Sequence, residues 1–175
     1  GRDVSAPPTD DDLVQVQAVS QAIVSLPQPV IVAVHGWTIG AGLEWMLDAD
    51  IVIAASSARF KLPEASIGVF VTGGLTATLP ACAGLARAKA LMLLGEEFSA
   101  AEAQAWGLVW RVVPPDALDA ELSQAVARLA ALQPEVARRF KRVLNELGLP
   151  RFARAIELEN EAQRAIQQQG PNPAG

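Results

Sequence analysis

Cysteine and histidine are almost absent from this sequence of 175 residues, which holds one of each, Cys82 and His35. A lone cysteine excludes an internal disulfide, and no Cys/His cluster exists to hold zinc, so no metal site is expected. A reduced, cytoplasmic setting is the expectation. Long apolar runs are missing too. Residues 30–34 and 51–55 hold five consecutive apolar residues each, far below the ~18 that span a bilayer, so no membrane segment is expected. The opening residues, Gly1-Arg2-Asp3-Val4-Ser5, lack the apolar stretch of a signal peptide. Basic residues are the minority, 14 against 19 acidic for a net charge of −5, which argues against a nucleic-acid-binding surface. What is abundant is apolar. At 51% apolar and 19% charged, the composition is that of a folded globule around one core.

Residues 5–12 read as a polar, proline-bearing loop that leads into a helix over 13–26, whose face Leu13, Val16, Val19, Ile23 and Leu26 should be buried. Pro27 and Pro29 stop it. The β-branched run 30–34 predicts a strand buried on both faces. A glycine-punctuated turn over 36–42 then feeds a helix over 43–47, and a second strand follows over 50–54. Residues 58–61 read as a short extended piece and 68–74 as a loop. Helices are expected over 76–81, 86–94 and 100–106, the last opened by a Ser99/Glu102 capping box. A short strand over 109–113 precedes three amphipathic helices over 116–132, 134–147 and 151–168. Strands come first and helices gather at the end, an α/β body with a helical tail.

Chemistry concentrates where the first strand meets the Gly40-Ala41-Gly42 turn. A strand feeding a glycine-rich turn and a helix leaves backbone N–H groups unpaired at the positive end of the helix dipole. Small side chains let a ligand approach those donors, so the junction suits a phosphate or a developing oxyanion. Glu44 stands in the first turn of that helix. Glu64 lies in the otherwise apolar segment 62–68, where desolvation would raise its pKa. Facing one cavity beside the donors, the two form an acid/base pair. The competing reading makes Glu44 a helix-end charge and Glu64 a surface charge.

The run Pro29-Val30-Ile31-Val32-Ala33-Val34-His35-Gly36, then Gly40-Ala41-Gly42-Leu43-Glu44 and Asp48-Ala49-Asp50-Ile51-Val52-Ile53-Ala54, resembles the enoyl-CoA hydratase/isomerase (crotonase) family. Ala58-Arg59-Phe60, Pro63-Glu64, Gly68, Gly73-Gly74, Thr76, Leu79-Pro80, Ser99-Ala100 and Trp106-Gly107-Leu108-Val109 extend the resemblance in order. It implies an α/β fold of the ClpP/crotonase kind. Residues 1–113 would form the later part of a β-β-α spiral core with the active site, and 114–175 a helical oligomerisation region that packs into a trimer or hexamer. It also implies that the chain lacks the family's N-terminal third and last C-terminal helix, with Gly1 and Asp3 ending a substrate-binding segment.

The activity implied is hydration of a 2-enoyl-CoA thioester, with coenzyme A part of the substrate and no separate cofactor. Ala41 would supply an oxyanion-hole N–H beside Gly40. Glu44 would position and deprotonate a water, and Glu64 would deliver a proton to the α-carbon. Trp37 and Thr72 would line the substrate, with Trp45 a further candidate wall. Val71 and Thr72 stand where hydratases of the family carry a proline and a glycine, so a narrowed acyl pocket is expected. That leaves open a double-bond isomerase, a thioester hydrolase, or a non-catalytic interaction module. Elsewhere the simpler readings hold. His35 is a turn residue, Asp48 and Asp50 bond backbone, Cys82 is a small buried side chain, and Trp106 and Trp110 are core. Residues 138–142, the only basic run, form the wet face of a helix. The apolar positions Leu118, Leu122, Val126, Leu129, Val136, Phe140, Val143 and Leu147 exceed what one chain needs.

Overall fold

The computed structural model describes residues 9–169; Gly1 and Asp3 lie outside them. The first helix, α1 (Asp10–Ser25), starts earlier than its apolar spacing predicts. Thr9 and Asp12 form a reciprocal capping box, and acidic residues suit a helix start.

Two β-β-α turns follow. The first is β1 (Ile31–Val34), β2 (Trp37–Ile39) and α2 (Ala41–Asp48). The second is β3 (Ile51–Ala55), β4 (Arg59–Lys61), a 3-10 turn over Glu64–Ile67 and α3 (Leu75–Ala83). Strand β1 pairs in parallel with β3, and β2 with β4, so one turn stacks on the next. Strand β6 (Arg111–Val113) extends the first sheet in the order β1-β3-β6, while β5 (Phe98–Ser99) adds antiparallel to β4. Sequence patterning misses β2 and β5, because two or three residues are too few to show a period of two. Helices α4 (Leu85–Leu94), α5 (Ala100–Ala105), α6 (Leu118–Ala130), α7 (Pro134–Gly148) and α8 (Phe152–Gln169) complete the element order. The Ser99/Glu102 box caps α5 as expected.

Strand β3 explains the layering. Val52 and Ala54 face the main core with Leu43, Phe60, Leu75 and Leu79, while Ile53 and Ala55 join Leu118 of α6 in a second core. Alternate residues of a strand point to opposite faces, so the sheet is covered on both sides. The helical tail therefore packs on the body.

Several side chains depart from expectation. Val19 and Leu26 are exposed, while Ser20 on the same helix is fully buried, because α1 meets α2 along a narrow seam. Cys82 is exposed; it lies a turn beyond the packed Thr78 and Leu79, over a cavity. Trp106 packs at a tilt against Phe98 at the core edge, but Trp110 is 70% exposed, alternating outward after Val109. Residues 138–142 are a wet face except at Lys141. That ammonium is buried on Asp50 at 2.7 Å and on the carbonyls of Ile23 and Gln28, while Asp50 also accepts from the Val30 N–H. A buried cation needs such partners, and they come from segments distant in sequence. Val126, Val136, Phe140, Val143 and Leu147 are exposed as foreseen, whereas Leu118 is buried in the second core.

Candidate active site

The site begins where β2 ends. Gly40 takes φ 55°, ψ −125° to turn the chain into α2, a conformation that L side chains avoid. A Cβ there would also lie 2.6 Å from Glu64 Oε1. A first helical turn has no i−4 carbonyls for its N–H groups, and no side chain caps α2. Among the described residues none accepts from the Ala41 N–H.

Glu44 is buried at 3% exposure in that first turn. Its Oε2 accepts from the Thr72 N–H at 3.2 Å and, closer still, from the Gly73 N–H. Burial drives its pKa from 4.5 up to about 8; the Gly73 bond opposes the shift, and the charges of Glu159 and Glu64 add to it. Glu64 opens the 3-10 turn after β4. Burial raises its pKa, and its Oε2 has no hydrogen-bond partner. Both carboxylates, Gly40, Ala41 and Thr72 line one cavity of about 330 Å³, with Leu13 and Val16 of α1, Ile67 and Phe70 as its apolar walls. A pair of raised carboxyls, Glu44 buried and Glu64 half-buried, beside a free backbone donor can bind an oxygen and move protons on both sides of it.

Not every foreseen residue arrives here. Trp37 is 58% exposed and lines a separate pocket with His35 and Thr38, because it opens β2 on the strand's outer face. Trp45 is turned away and donates its indole N–H to Val16 O at 3.2 Å, tying α2 to α1. The bulk of Val71 goes into the main core instead of the cavity. Asp48 bonds no backbone group; it is buried near Ser20.

Two site residues lie in the tail and escape sequence reasoning. Glu159 of α8 accepts from the Gly74 N–H at 2.7 Å and from the N–H and hydroxyl of Thr76 at 2.8 and 2.6 Å. It thereby caps α3 from outside and fixes the loop that holds Glu44. Gln163 lines the cavity and accepts from the Phe70 N–H at 2.6 Å. Only their polarity on the apolar-striped α8 marks them locally.

The family model for enoyl-CoA hydratase/isomerase matches residues 8–172. The chain belongs to that family. It is 40% identical to the 1,2-epoxyphenylacetyl-CoA isomerase of Escherichia coli (strain K12) over 143 residues, covering 81% of this chain and 54% of the relative. It is 34% identical to the crotonyl-CoA hydratase of Syntrophomonas wolfei over 146 residues, covering 83% and 56%. The chain thus spans little more than half the length of these relatives. The crystal structure of an enoyl-CoA hydratase from Mycobacterium avium subsp. paratuberculosis K-10 superposes with a TM-score of 0.88 at 33% identity, covering 94% of this chain and 65% of that one. The α/β fold is therefore of the crotonase-like kind that the motifs imply.

Within that fold, Gly40 is where a one-atom change reaches the chemistry. Gly40→Ala is expected to strain the turn that presents the Ala41 N–H as well as push the Glu64 carboxylate aside, and to lower turnover by roughly 10²-fold, the effect of a small misplacement of reacting groups. Steady-state kinetics beside the parent chain checks it; an unchanged kcat would remove Glu64 from the reaction.

Proposed function

We propose that this chain carries the catalytic centre of an enzyme that adds water across the 2,3 double bond of a 2-enoyl-CoA thioester. The observation that carries this reading is the meeting of Glu44, Glu64 and the unpaired Ala41 N–H on one cavity. The Ala41 N–H would donate to the thioester carbonyl oxygen, where negative charge develops; such a donor contributes roughly 3–4 kcal/mol to the transition state. Ionised Glu44 would take a proton from the attacking water as its oxygen bonds to the β-carbon. Protonated Glu64 would give its proton to the α-carbon. Burial raises both carboxyls, and the charge of each disfavours ionisation of the other, so the pair holds one proton while the second carboxyl is ionised. No separate cofactor is called on, since coenzyme A arrives with the substrate; Gly40 and Thr72, which line the cavity, would contact the substrate.

The family's description as hydratase/isomerase supports a second reading, double-bond isomerisation, in which the same two carboxyls shuttle a proton between carbons. Incubation with a panel of 2-enoyl-CoA thioesters of different chain length separates the two. Loss of conjugated absorbance with formation of the 3-hydroxyacyl product supports hydration. A shifted double bond supports isomerisation, and no turnover at any chain length overturns both. The exposed apolar side chains of α7, among them Val136, Val143 and Leu147, support assembly with further copies into a trimer or hexamer. Among the described residues no helix is long and apolar enough to cross a membrane; cytoplasmic residence is part of the proposal.

A further inference from the structure

Behind Glu44 the interior holds four oxygens without a well-formed hydrogen bond: Ser20 Oγ, both carboxylate oxygens of Asp48, and Thr78 Oγ1. Their residues are 0%, 5% and 1% exposed. Such groups are rare in folded proteins, because each forfeits its hydration. Here they are arranged in order. Ser20 Oγ lies 2.5 Å from the point where a Cβ on Gly73 would stand, and Glu44 Oε2 lies 2.6 Å from that same point. The Ser20 hydroxyl also faces the Asp48 carboxylate, holding down a pKa that burial pushes up to about 7. Asp48 follows Glu44 by one helical turn, on the same side of α2. Asp48 and Thr78 in turn line a second cavity of about 540 Å³ that shares no lining residue with the first.

We propose that Ser20 and Asp48 form a proton relay connecting Glu44 with this rear cavity. Both are positioning residues that act through Glu44. The inference rests on the hydration reading, in which each addition leaves one proton on Glu44 and removes one from Glu64 while product fills the front cavity. To reset the site, the Glu44 proton passes to Ser20 Oγ as the serine's own hydroxyl proton passes to the Asp48 carboxylate. Asp48 releases it to water in the rear cavity, and Glu64 regains a proton at the front. A hydroxyl serves both steps because it accepts and donates at one oxygen. Burial brings Glu44 and Asp48 to about 8 and about 7, a match that keeps the transfer close to level. The other groups facing Asp48 are Glu159 of α8, whose charge raises both acids, Cys82 of α3, and Lys141 of α7, which is committed to Asp50.

The test uses Ser20→Ala, Asp48→Asn and Asp48→Ala with the thioester that the panel selects. In the first two, kcat is expected to fall roughly 10²-fold, the lower range for a proton-transfer group, with KM unchanged and a larger solvent deuterium isotope effect. Added formate should partly restore Asp48→Ala, which it does not do for a packing defect. Unchanged kcat and isotope effect in Asp48→Asn would overturn the relay while leaving the hydration reading intact. A second readout needs no substrate. In carboxyl-¹³C NMR of the parent chain, Asp48 should titrate near pH 7, and Ser20→Ala should move it higher. A midpoint near 3.8, the ordinary value, overturns the relay whether or not any thioester is turned over.

Discussion

Glu44→Gln is expected to reduce turnover of a 2-enoyl-CoA by about 10³-fold, and Glu64→Gln by a similar factor, within the usual range for a positioned acid or base. Gln keeps the shape of each side chain, so circular dichroism and oligomeric state should match the parent. The pH profile should separate the roles. The working state has Glu44 ionised and Glu64 protonated, one proton on the pair. The kcat/KM of the parent should therefore follow a bell with both limbs above the ordinary carboxylate range and one of them near 8, where burial places Glu44. Because Glu44 and Glu64 repel one another, both midpoints belong to the pair. In Glu44→Gln the residual rate should lose one limb. An interaction module would be indifferent to both substitutions, and unaltered turnover in either one removes that residue from the reaction.

Glu44 was legible because its surroundings are local. A β-branched strand, three small residues and a helix start fall within about fifteen residues, and each leaves its own pattern. Glu64 is different. Its spacing from Glu44 fits a surface charge equally well, and it is the family motif that singles it out; the 3-10 turn over Glu64–Ile67 that aims it has no distinctive composition. Ser20, Asp48, Lys141, Glu159 and Gln163 were illegible for one physical reason. Each finds its role against a segment tens of residues away, as Lys141 does on Asp50 and Gln163 on Phe70. Cys82 and Trp110 mislead the other way, since residue type favours burial while their positions lie past the packed rows. Helices α1 to α8 follow the predicted ones to within a few residues, and the errors concern which residues meet.

Stability should decrease as pH climbs from about 4 to about 8, the reverse of the usual carboxylate trend. Glu44 goes from 4.5 to about 8 on folding, and Asp48 from 3.8 to about 7, both chiefly through burial. Glu64 and Glu159 shift in the same direction. Between the unfolded and folded values the native state holds protons that the unfolded chain has released, so the slope of unfolding free energy against pH is negative. The contribution is complete below the unfolded values and is lost as pH rises through about 7 and 8. Its size is on the order of a few kcal/mol. Urea midpoints at pH 5.5 and 8.5 measure it. Glu44→Gln and Asp48→Asn should each flatten the difference, and a midpoint that increases with pH would contradict the burial that produces these shifts.

The grip of α8 on the loop after Glu64 has a consequence for biosynthesis. Glu159 reaches back 85 residues to Gly74, and Gln163 reaches back 93 to Phe70. A nascent chain that has emerged only as far as α7 already owns both acids and the turn at Gly40, yet the segment that orients Glu44 still lacks its bonds to Glu159 and Gln163. The ribosome must therefore release residue 163 before the centre can be assembled, and a translation product stopped short of α8 would hold the reacting groups without their alignment.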